Sequence, residues 1–116
     1  MDRLVKLLYD LKCAVDIETA VIVSREGKLL KAYPGNRDLD DFVQKIAIIM
    51  GATEAALMEL GKNAPDRIIL ETGNGKIIIT GCGSRALLAA FIKPEADTGP
   101  SLAEMDRIAE KIKLLL

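Results

Sequence analysis

Few residues in this sequence could take part in catalysis, and histidine, the commonest catalytic base, is missing. The 116 residues include two cysteines, Cys13 and Cys82, and no histidine. Ser-His-Asp and Cys-His arrangements and histidine-bearing zinc sites are therefore excluded. Cys82 lies between two glycines, so a turn could expose it. A nucleophilic thiol also needs a lowered pKa and a base partner, and the sequence offers neither.

Two glycine-rich segments resemble phosphate-binding loops but lead into the wrong element. Gly73-Asn74-Gly75-Lys76 precedes the residues IIIT, whereas a phosphate loop has the pattern GxxxxGK[ST] and leads into a helix. Gly81 and Gly83 also precede a strand-like segment, although the dinucleotide fingerprint opens a helix. Both segments are predicted to be hairpin turns.

Charged residues give no clearer catalytic or metal site. Asp38, Asp40 and Asp41 could bind a metal ion, but capping and the dipole of a following helix explain them more simply. Three arginines at loops or strand starts could be considered as arginine fingers, and we interpret them as solvated charges: Arg37, Arg67 and Arg85. The sequence therefore predicts a protein that is not an enzyme and has no cofactor or metal.

Composition excludes several classes of partner. The net charge is −1 and aromatic residues make up 3% of the chain, which argues against a nucleic-acid binder. No apolar run approaches the ~20 residues of a membrane span. The charged N-terminus, MDRLVKLLYDLK, is not typical of a secretory signal. We expect a cytoplasmic protein with free thiols.

The elements that would position any site follow the order α-β-β-α-β-β-β-α. Asp2 is predicted to cap the first helix, and the turn at residues 25–28 joins two strands. A long helix over residues 39–60 follows, with Asp38 as its N-cap. Three strands come next: RIILET, KIIIT and RALLAAFIK. Residues 94–100 are predicted to be a loop, and Ser101 and Glu104 to form a capping box for the last helix.

The strands predict a sheet that is covered on both faces. Tight turns imply antiparallel pairing, and RIILE and KIIIT are apolar at consecutive positions. With three helices available to cover them, the fold class is a three-layer α/β/α domain over residues 1–116.

The long helix has apolar residues on more than one side. One face should lie on the sheet and carries Leu39, Val43, Ile46, Met50, Thr53 and Leu57, widened by Phe42, Ala47, Ile49, Met58 and Leu60. The opposite face has polar ends and an apolar centre that includes Gly51. A glycine there costs about 1 kcal/mol relative to alanine, which a close approach by another backbone would justify.

A second copy of the protein is the simplest partner for this face, because the terminal helices are needed on the other side of the sheet. RIILE adds weak support, since an apolar strand at a sheet edge is an aggregation hazard unless it is paired. The predicted dimer interface contains seven residues: Gln44, Ile48, Gly51, Ala52, Ala55, Glu59 and Ile69.

The order and the residues together resemble the Roadblock family, which comprises the dynein light chain roadblock and its bacterial and archaeal relatives. The resemblance covers essentially the whole chain and is carried by AVIVSREGKLL, DLDDFVQKIAIIMGATEAALMELG, RIILETGNGKIIITGCGSRALLAAFI and the last helix. It implies a five-stranded antiparallel sheet of order 2-1-5-4-3, as in profilin-like proteins. It also implies the long helix on one face and the terminal helices on the other.

The resemblance further implies a non-enzymatic regulator or scaffold of a small Ras-like GTPase, working as a homodimer or with a paralogue. Polar margins of the long helix are the predicted partner surface: Asp41, Lys45 and Glu59. Two alternatives stay open, a small-ligand-binding sensory domain of profilin-like architecture and a purely structural assembly subunit.

Overall fold

The computed structural model describes residues 2–35 and 37–116, and in these it contains three helices and five strands in the predicted order. They are α1 (Arg3–Ala14), β1 (Ile17–Ser24), β2 (Leu29–Tyr33), α2 (Asp40–Glu59), β3 (Arg67–Thr72), β4 (Gly75–Cys82), β5 (Ala86–Ile92) and α3 (Thr98–Leu115).

The five strands form one antiparallel sheet in the order β2-β1-β5-β4-β3. Short turns join three of the strand pairs, as the turn residues predicted: β1–β2, β3–β4 and β4–β5. The N-terminal and C-terminal halves meet at the β1–β5 pair, where Ile22 lies opposite Leu88. The predicted strand order is confirmed, and β2 and β3 are the two edges.

The core has two halves, one on each face of the sheet. Alternation along β5 sends Leu88 to the half that contains α1 and α3, and Leu87 to the half that contains α2. Leu8 and Leu11 of α1 and Met105, Ile108 and Ile112 of α3 fill the first half. Val43, Ile46 and Met50 of α2 fill the second. The prediction of one long helix on one face and two terminal helices on the other is confirmed.

The first two helices begin in different ways, and one predicted cap is shifted. Asp2 Oδ1 accepts the N–H groups of Leu4 and Val5, as predicted. α2 begins one residue later than predicted, with Leu39 as its N-cap and no side-chain capping bond. Asp38 is therefore not the N-cap, although its Oδ1 still accepts the N–H of Asp40 at 3.0 Å.

Gly61 ends α2 in a left-handed conformation, with φ +68°. The N–H of Lys62 donates to the carbonyl of Leu57, and the N–H of Gly61 donates to that of Met58, both at 2.9 Å. This is a Schellman motif, which satisfies the last carbonyl groups of a helix.

The prediction for the start of α3 is wrong. The helix begins at Thr98, so Pro100 lies in its first turn and Ser101 lies inside it. Ser101 Oγ donates to the carbonyl of Asp97 at 2.6 Å and does not cap the helix. Proline is tolerated in a first turn, because its missing N–H would have no partner there and its fixed φ suits the helix. Pro100 therefore does not delay the helix.

Candidate protein-interaction surface

The side of α2 that faces away from the sheet is exposed and apolar at its centre. We call the six α2 residues of the predicted interface the outer face of α2: Gln44, Ile48, Gly51, Ala52, Ala55 and Glu59. All six are exposed, and Ile48 keeps 63% of its surface accessible. The buried residues of α2 are Val43, Ile46 and Met50, which lie on the opposite side. The structure therefore brings these six predicted residues together on one helix face.

Gly51 lies open at the middle of this face. A Cβ built on Gly51 would have no neighbour within 4 Å. Nothing within the described chain therefore requires glycine here, and the ordinary reason for a glycine inside a helix, a close packing contact, would have to come from another chain.

The apolar surface extends further than the sequence predicted. Met58 and Leu60 were placed beside the sheet, but they are 75% and 71% exposed. Residues 58–64 are all exposed, so the end of α2 projects beyond the sheet. A helical wheel assigns directions around a helix but does not show where the sheet below it stops.

The three residues of the predicted polar margins are Asp41, Lys45 and Glu59, all on α2. Asp41 and Lys45 are one turn apart near the start of α2, and Glu59 is its last residue. All three are exposed, and none forms an ion pair with another described residue. They are free to contact a second protein.

Ile69 lies apart from the outer face of α2. It is on edge strand β3, opposite Ile78 of β4, and Ile78 packs in the half of the core that contains α1 and α3. Residues that lie directly opposite in a sheet share a face, so the side chain of Ile69 points to the other side of the sheet from α2. Ile69 is 37% exposed, so it is available to a neighbour at the sheet edge.

An ion pair that the sequence did not reveal links α2 to two turns of the sheet. Arg25, in the turn between β1 and β2, donates from Nη1 to Glu54 of α2 at 2.9 Å. Its Nη2 donates to the carbonyl of Gly83, in the turn between β4 and β5, at 2.8 Å. One guanidinium thus joins two turns to the helix. Arg25 and Glu54 are far apart in the sequence, and neither lies in a motif that could have indicated the pair.

A depression of about 480 Å³ lies beside this ion pair, between the first turn and α2. Arg25 and Lys28 line it on one side, and Gln44 and Ile48 line it on the other. The depression opens next to the outer face of α2, so a protein bound to that face could also contact the turn.

The side chains that were considered for catalysis lie in positions that do not favour it. Cys82 is buried, contrary to the exposure that its turn-like setting suggested, and burial raises the pKa of its thiol to about 12. Arg67 pairs with Asp106 of α3, whereas Arg37 and Arg85 are exposed. Among residues 2–35 and 37–116, no group of three or more histidine, cysteine, aspartate or glutamate side chains could hold a metal ion.

The glycine segments are turns, as predicted. Residues 73 and 74 separate β3 from β4, and residues 83–85 separate β4 from β5, although Gly75 and Gly81 belong to β4 itself. Within the part of the chain that the structure describes, no helix is both long enough and apolar enough to cross a membrane.

Solved structures with the same fold include two MglB proteins and a Roadblock/LC7 domain. The gliding protein MglB from Thermus thermophilus superimposes with a TM-score of 0.88 at 20% identity, over 97% of this chain and 87% of that one. Myxococcus xanthus MglB gives 0.87 at 15% identity, over 98% and 97% of the two chains. A Roadblock/LC7 domain from Streptomyces avermitilis gives 0.68 at 27% identity, over 96% and 99%.

A comparison with curated protein sequences gave no match. The sequence does match the Roadblock/LC7 domain family over residues 4–91, a range that contains the first four strands, α2 and nearly all of α1 and β5. The exposed α2 and the edge strand β3 lie inside the matched range. This chain belongs to the Roadblock/LC7 family.

Proposed function

We propose that this chain is a non-enzymatic adaptor that dimerises and regulates or tethers a small Ras-like GTPase in the cytoplasm. One observation carries the proposal: α2 presents an exposed apolar centre and an open glycine that no contact among the described residues explains. Membership of the Roadblock/LC7 family supports it, because the resemblance to that family implies a non-enzymatic regulator or scaffold of a small Ras-like GTPase. In this proposal residues 1–116 form one Roadblock-like domain.

Dimerisation would use the outer face of α2 against the same face of a second copy. Small side chains at Gly51, Ala52 and Ala55 allow two helices to approach within the ~8–10 Å of close helix packing. Ile48 would lose most of its exposed surface, and burial of an isoleucine side chain is worth about 1.5–3 kcal/mol. An arginine at Gly51 would prevent the approach.

The GTPase would bind across the two helices. Side by side they form one surface that crosses the two-fold axis, with Asp41, Lys45 and Glu59 at its margins. Charges at the margin of an interface influence association rate and specificity more than they influence affinity. A single GTPase could contact both copies, which gives a stoichiometry of two chains to one partner.

Calorimetry with small Ras-like GTPases of the source organism, in GTP-like and GDP states, tests the proposal. Lys45→Glu and Glu59→Lys should each weaken binding. Both leave the apolar centre of the outer face of α2 unchanged, since Glu59 lies at its polar end, so the dimer should stay intact. Lys111→Glu is a matched control, because Lys111 is exposed on α3, on the other face of the sheet. The control should bind like the wild type.

If none of these GTPases binds in either state, the remaining assignment is a structural assembly subunit. Binding that both reversals leave unchanged would place the partner surface elsewhere, on the sheet edge or the terminal helices. Light scattering decides the dimer separately: a wild-type monomer at high micromolar concentration, or a Gly51→Arg variant that dimerises normally, would contradict the proposed interface.

A further inference from the structure

A groove of about 490 Å³ lies between the two terminal helices, which cover the sheet face opposite α2. Three leucines from the two helices line it: Leu7, Leu114 and Leu115. Leu114 keeps 83% of its surface accessible and belongs to neither half of the core. The groove therefore offers apolar surface that no contact among the described residues uses.

Cations outnumber anions around the groove. Arg3, Lys6 and Lys111 line it together with one carboxylate, that of Asp10. Asp10 already pairs with Lys6 at 3.1 Å, whereas Arg3 and Lys111 form no ion pair with another described residue. The whole chain has a net charge of −1, so the positive charge here is local. An anionic partner would complement it.

The residues that line the groove follow the spacing of a helix face. They occur at every third or fourth position from Arg3 to Asp10 on α1 and from Lys111 to Leu115 on α3. At a rise of 1.5 Å per residue, the stripe on α1 is ~10 Å long, which is about two turns of a helix. A third helix laid along the groove could contact both stripes over this length.

We propose that the groove between α1 and α3 holds an acidic amphipathic helix of another protein. The apolar side chains of that helix would contact Leu114 and Leu115, and its carboxylates would pair with Arg3 and Lys111. This is a second binding surface, and it requires neither the dimer nor the GTPase proposed above. One chain could then hold a different partner on each side of its sheet.

The lining of the groove fits other occupants less well. Proline-rich segments bind in grooves lined by aromatic side chains, and no aromatic residue lines this one. Anionic membranes are recognised by clusters of roughly four to eight lysines and arginines, and a flat bilayer cannot fill a concave groove. An amphipathic helix binds through apolar anchors at positions i, i+3, i+4 and i+7, which is the spacing found on α1 and α3.

Fluorescence anisotropy with two designed peptides tests the proposal. Each peptide is about 16 residues long, so that a helix can form in water. Both carry leucines at helical spacing, flanked by glutamates in one and by lysines in the other. The full chain should bind the glutamate peptide at least about tenfold more tightly, and added salt should reduce this preference. Equal binding of the two peptides, or no binding of the glutamate peptide at high micromolar concentration, overturns the proposal.

Two exposed residues of the groove can be changed without altering the core. Leu114→Gln should weaken binding of the glutamate peptide by about tenfold, because an apolar contact is lost. Lys111→Glu should weaken binding of the glutamate peptide and strengthen binding of the lysine peptide. This reversal of preference could not result from a loss of folding. A Lys111→Glu variant whose preference equals that of the wild type contradicts the proposal.

Lys62→Glu is a matched control for these variants. Lys62 follows α2, is exposed and forms no ion pair with another described residue, so this variant should bind both peptides like the wild type. Gly51→Arg should also bind the glutamate peptide like the wild type, because residue 51 lies on α2. Loss of peptide binding in either variant would place the peptide outside the groove and contradict the proposal.

Two further measurements distinguish other occupants of the groove. Vesicles of phosphatidylserine and phosphatidylcholine should not sediment the chain, and sedimentation that Leu114→Gln abolishes would assign the groove to a membrane. Light scattering should give Leu114→Gln the same oligomeric state as the wild type. A loss of self-association in that variant would assign the groove to a second copy. Either of these results overturns the proposal.

Discussion

Among single residues, Arg25 joins parts of the chain that lie far apart in the sequence. Its guanidinium bonds to Glu54 and to the carbonyl of Gly83, and both charged side chains are about one-third exposed, at 30% and 33%. We expect Arg25→Ala to lower the free energy of unfolding by about 1–2 kcal/mol, because hydrogen bonds to charged groups are lost while solvent screening reduces their worth. Urea unfolding measures the change.

Arg85→Ala is the control for this substitution. Arg85 is exposed and forms no ion pair with another described residue, so its removal should change stability by less than about 0.5 kcal/mol. Equal losses in the two variants would show that the contacts of Arg25 contribute nothing beyond the loss of one surface arginine.

Two glycines near the same helix should respond in opposite ways to alanine. A Cβ placed on Gly51 or on Gly61 would meet no atom within 4 Å, but only Gly61 has a positive φ, at +68°. Gly51→Ala should stabilise the fold by up to about 1 kcal/mol through helix propensity. Gly61→Ala should destabilise it by about 1–2 kcal/mol, because a Cβ in the left-handed region is strained. Denaturant midpoints of dilute protein give both values, and a destabilising Gly51→Ala would reveal a contact that the structure lacks.

The properties of these residues could be predicted from the sequence to different degrees. The exposure of Gly51 followed from helical periodicity, because Gly51 lies on the side of the helix opposite the face that was assigned to the sheet. The ion pair between Arg25 and Glu54 could not be predicted, since it depends on how the first turn folds over α2. The burial of Cys82 was also missed, because flanking glycines indicate a turn but do not reveal which side chains α3 covers.

At the scale of elements, the carboxylate of Asp2 stabilises the start of α1 in two ways. Asp2 caps the helix through Oδ1, and its Oδ2 lies 3.2 Å from Lys31 Nζ of β2. The bond to Lys31, followed by the N–H of Val5, lowers the pKa of Asp2 below its ordinary value of 3.8. Asp2 is ionised in both folded and unfolded chains at neutral pH, and protonating it in the folded state takes a lower pH than in the unfolded chain.

The stability that Asp2 contributes is therefore fully present above about pH 4 and is lost as pH falls through its lowered pKa. Asp2→Ala should lower the thermal midpoint at pH 7, and the difference from wild type should shrink below pH 3.8. Asp2→Asn keeps a capping oxygen without the charge, so its deficit at pH 7 should be smaller than that of Asp2→Ala, and it should also shrink as the wild-type carboxylate is protonated. A difference between Asp2→Ala and wild type that stays constant down to about pH 2 would contradict this account.

The order and type of all eight elements could be predicted, whereas some of their ends could not. Turn residues and apolar periodicity indicate local structure, and they were sufficient for the two hairpins and for α2. The starts of α2 and α3 depend on how the N–H groups of the first helical turn are bonded. Asp38 and Ser101 are typical capping residues, but Asp38 accepts the N–H of Asp40 before the helix and Ser101 donates to the carbonyl of Asp97. The exposure of Met58 and Leu60 depends on where the sheet ends below α2, which is a tertiary property.

For the molecule as a whole, the proposed dimer couples folding to concentration. Association that requires the folded chain stabilises it by mass action, so the unfolding midpoint should rise as the protein is concentrated from low to high micromolar. Gly51→Arg should remove this dependence and keep a midpoint at or above that of the dilute wild type, because a side chain at residue 51 meets no described atom within one copy and arginine favours a helix more than glycine does. Calorimetric scans over the concentration series measure the unfolding midpoint. A wild-type midpoint that does not change with protein concentration would contradict dimerisation in this range.

The open space around Gly51 has a consequence for how tolerance to mutation is measured in this protein. A selection that reads only the abundance of the chain, at concentrations too low for it to dimerise, would score substitutions on the outer face of α2 as neutral or beneficial, since no buried residue is changed there. A selection that reads capture of a second chain would score the same substitutions as damaging. Positions where the two scores diverge would trace the surface by which this protein is recognised, independently of any structure of a complex.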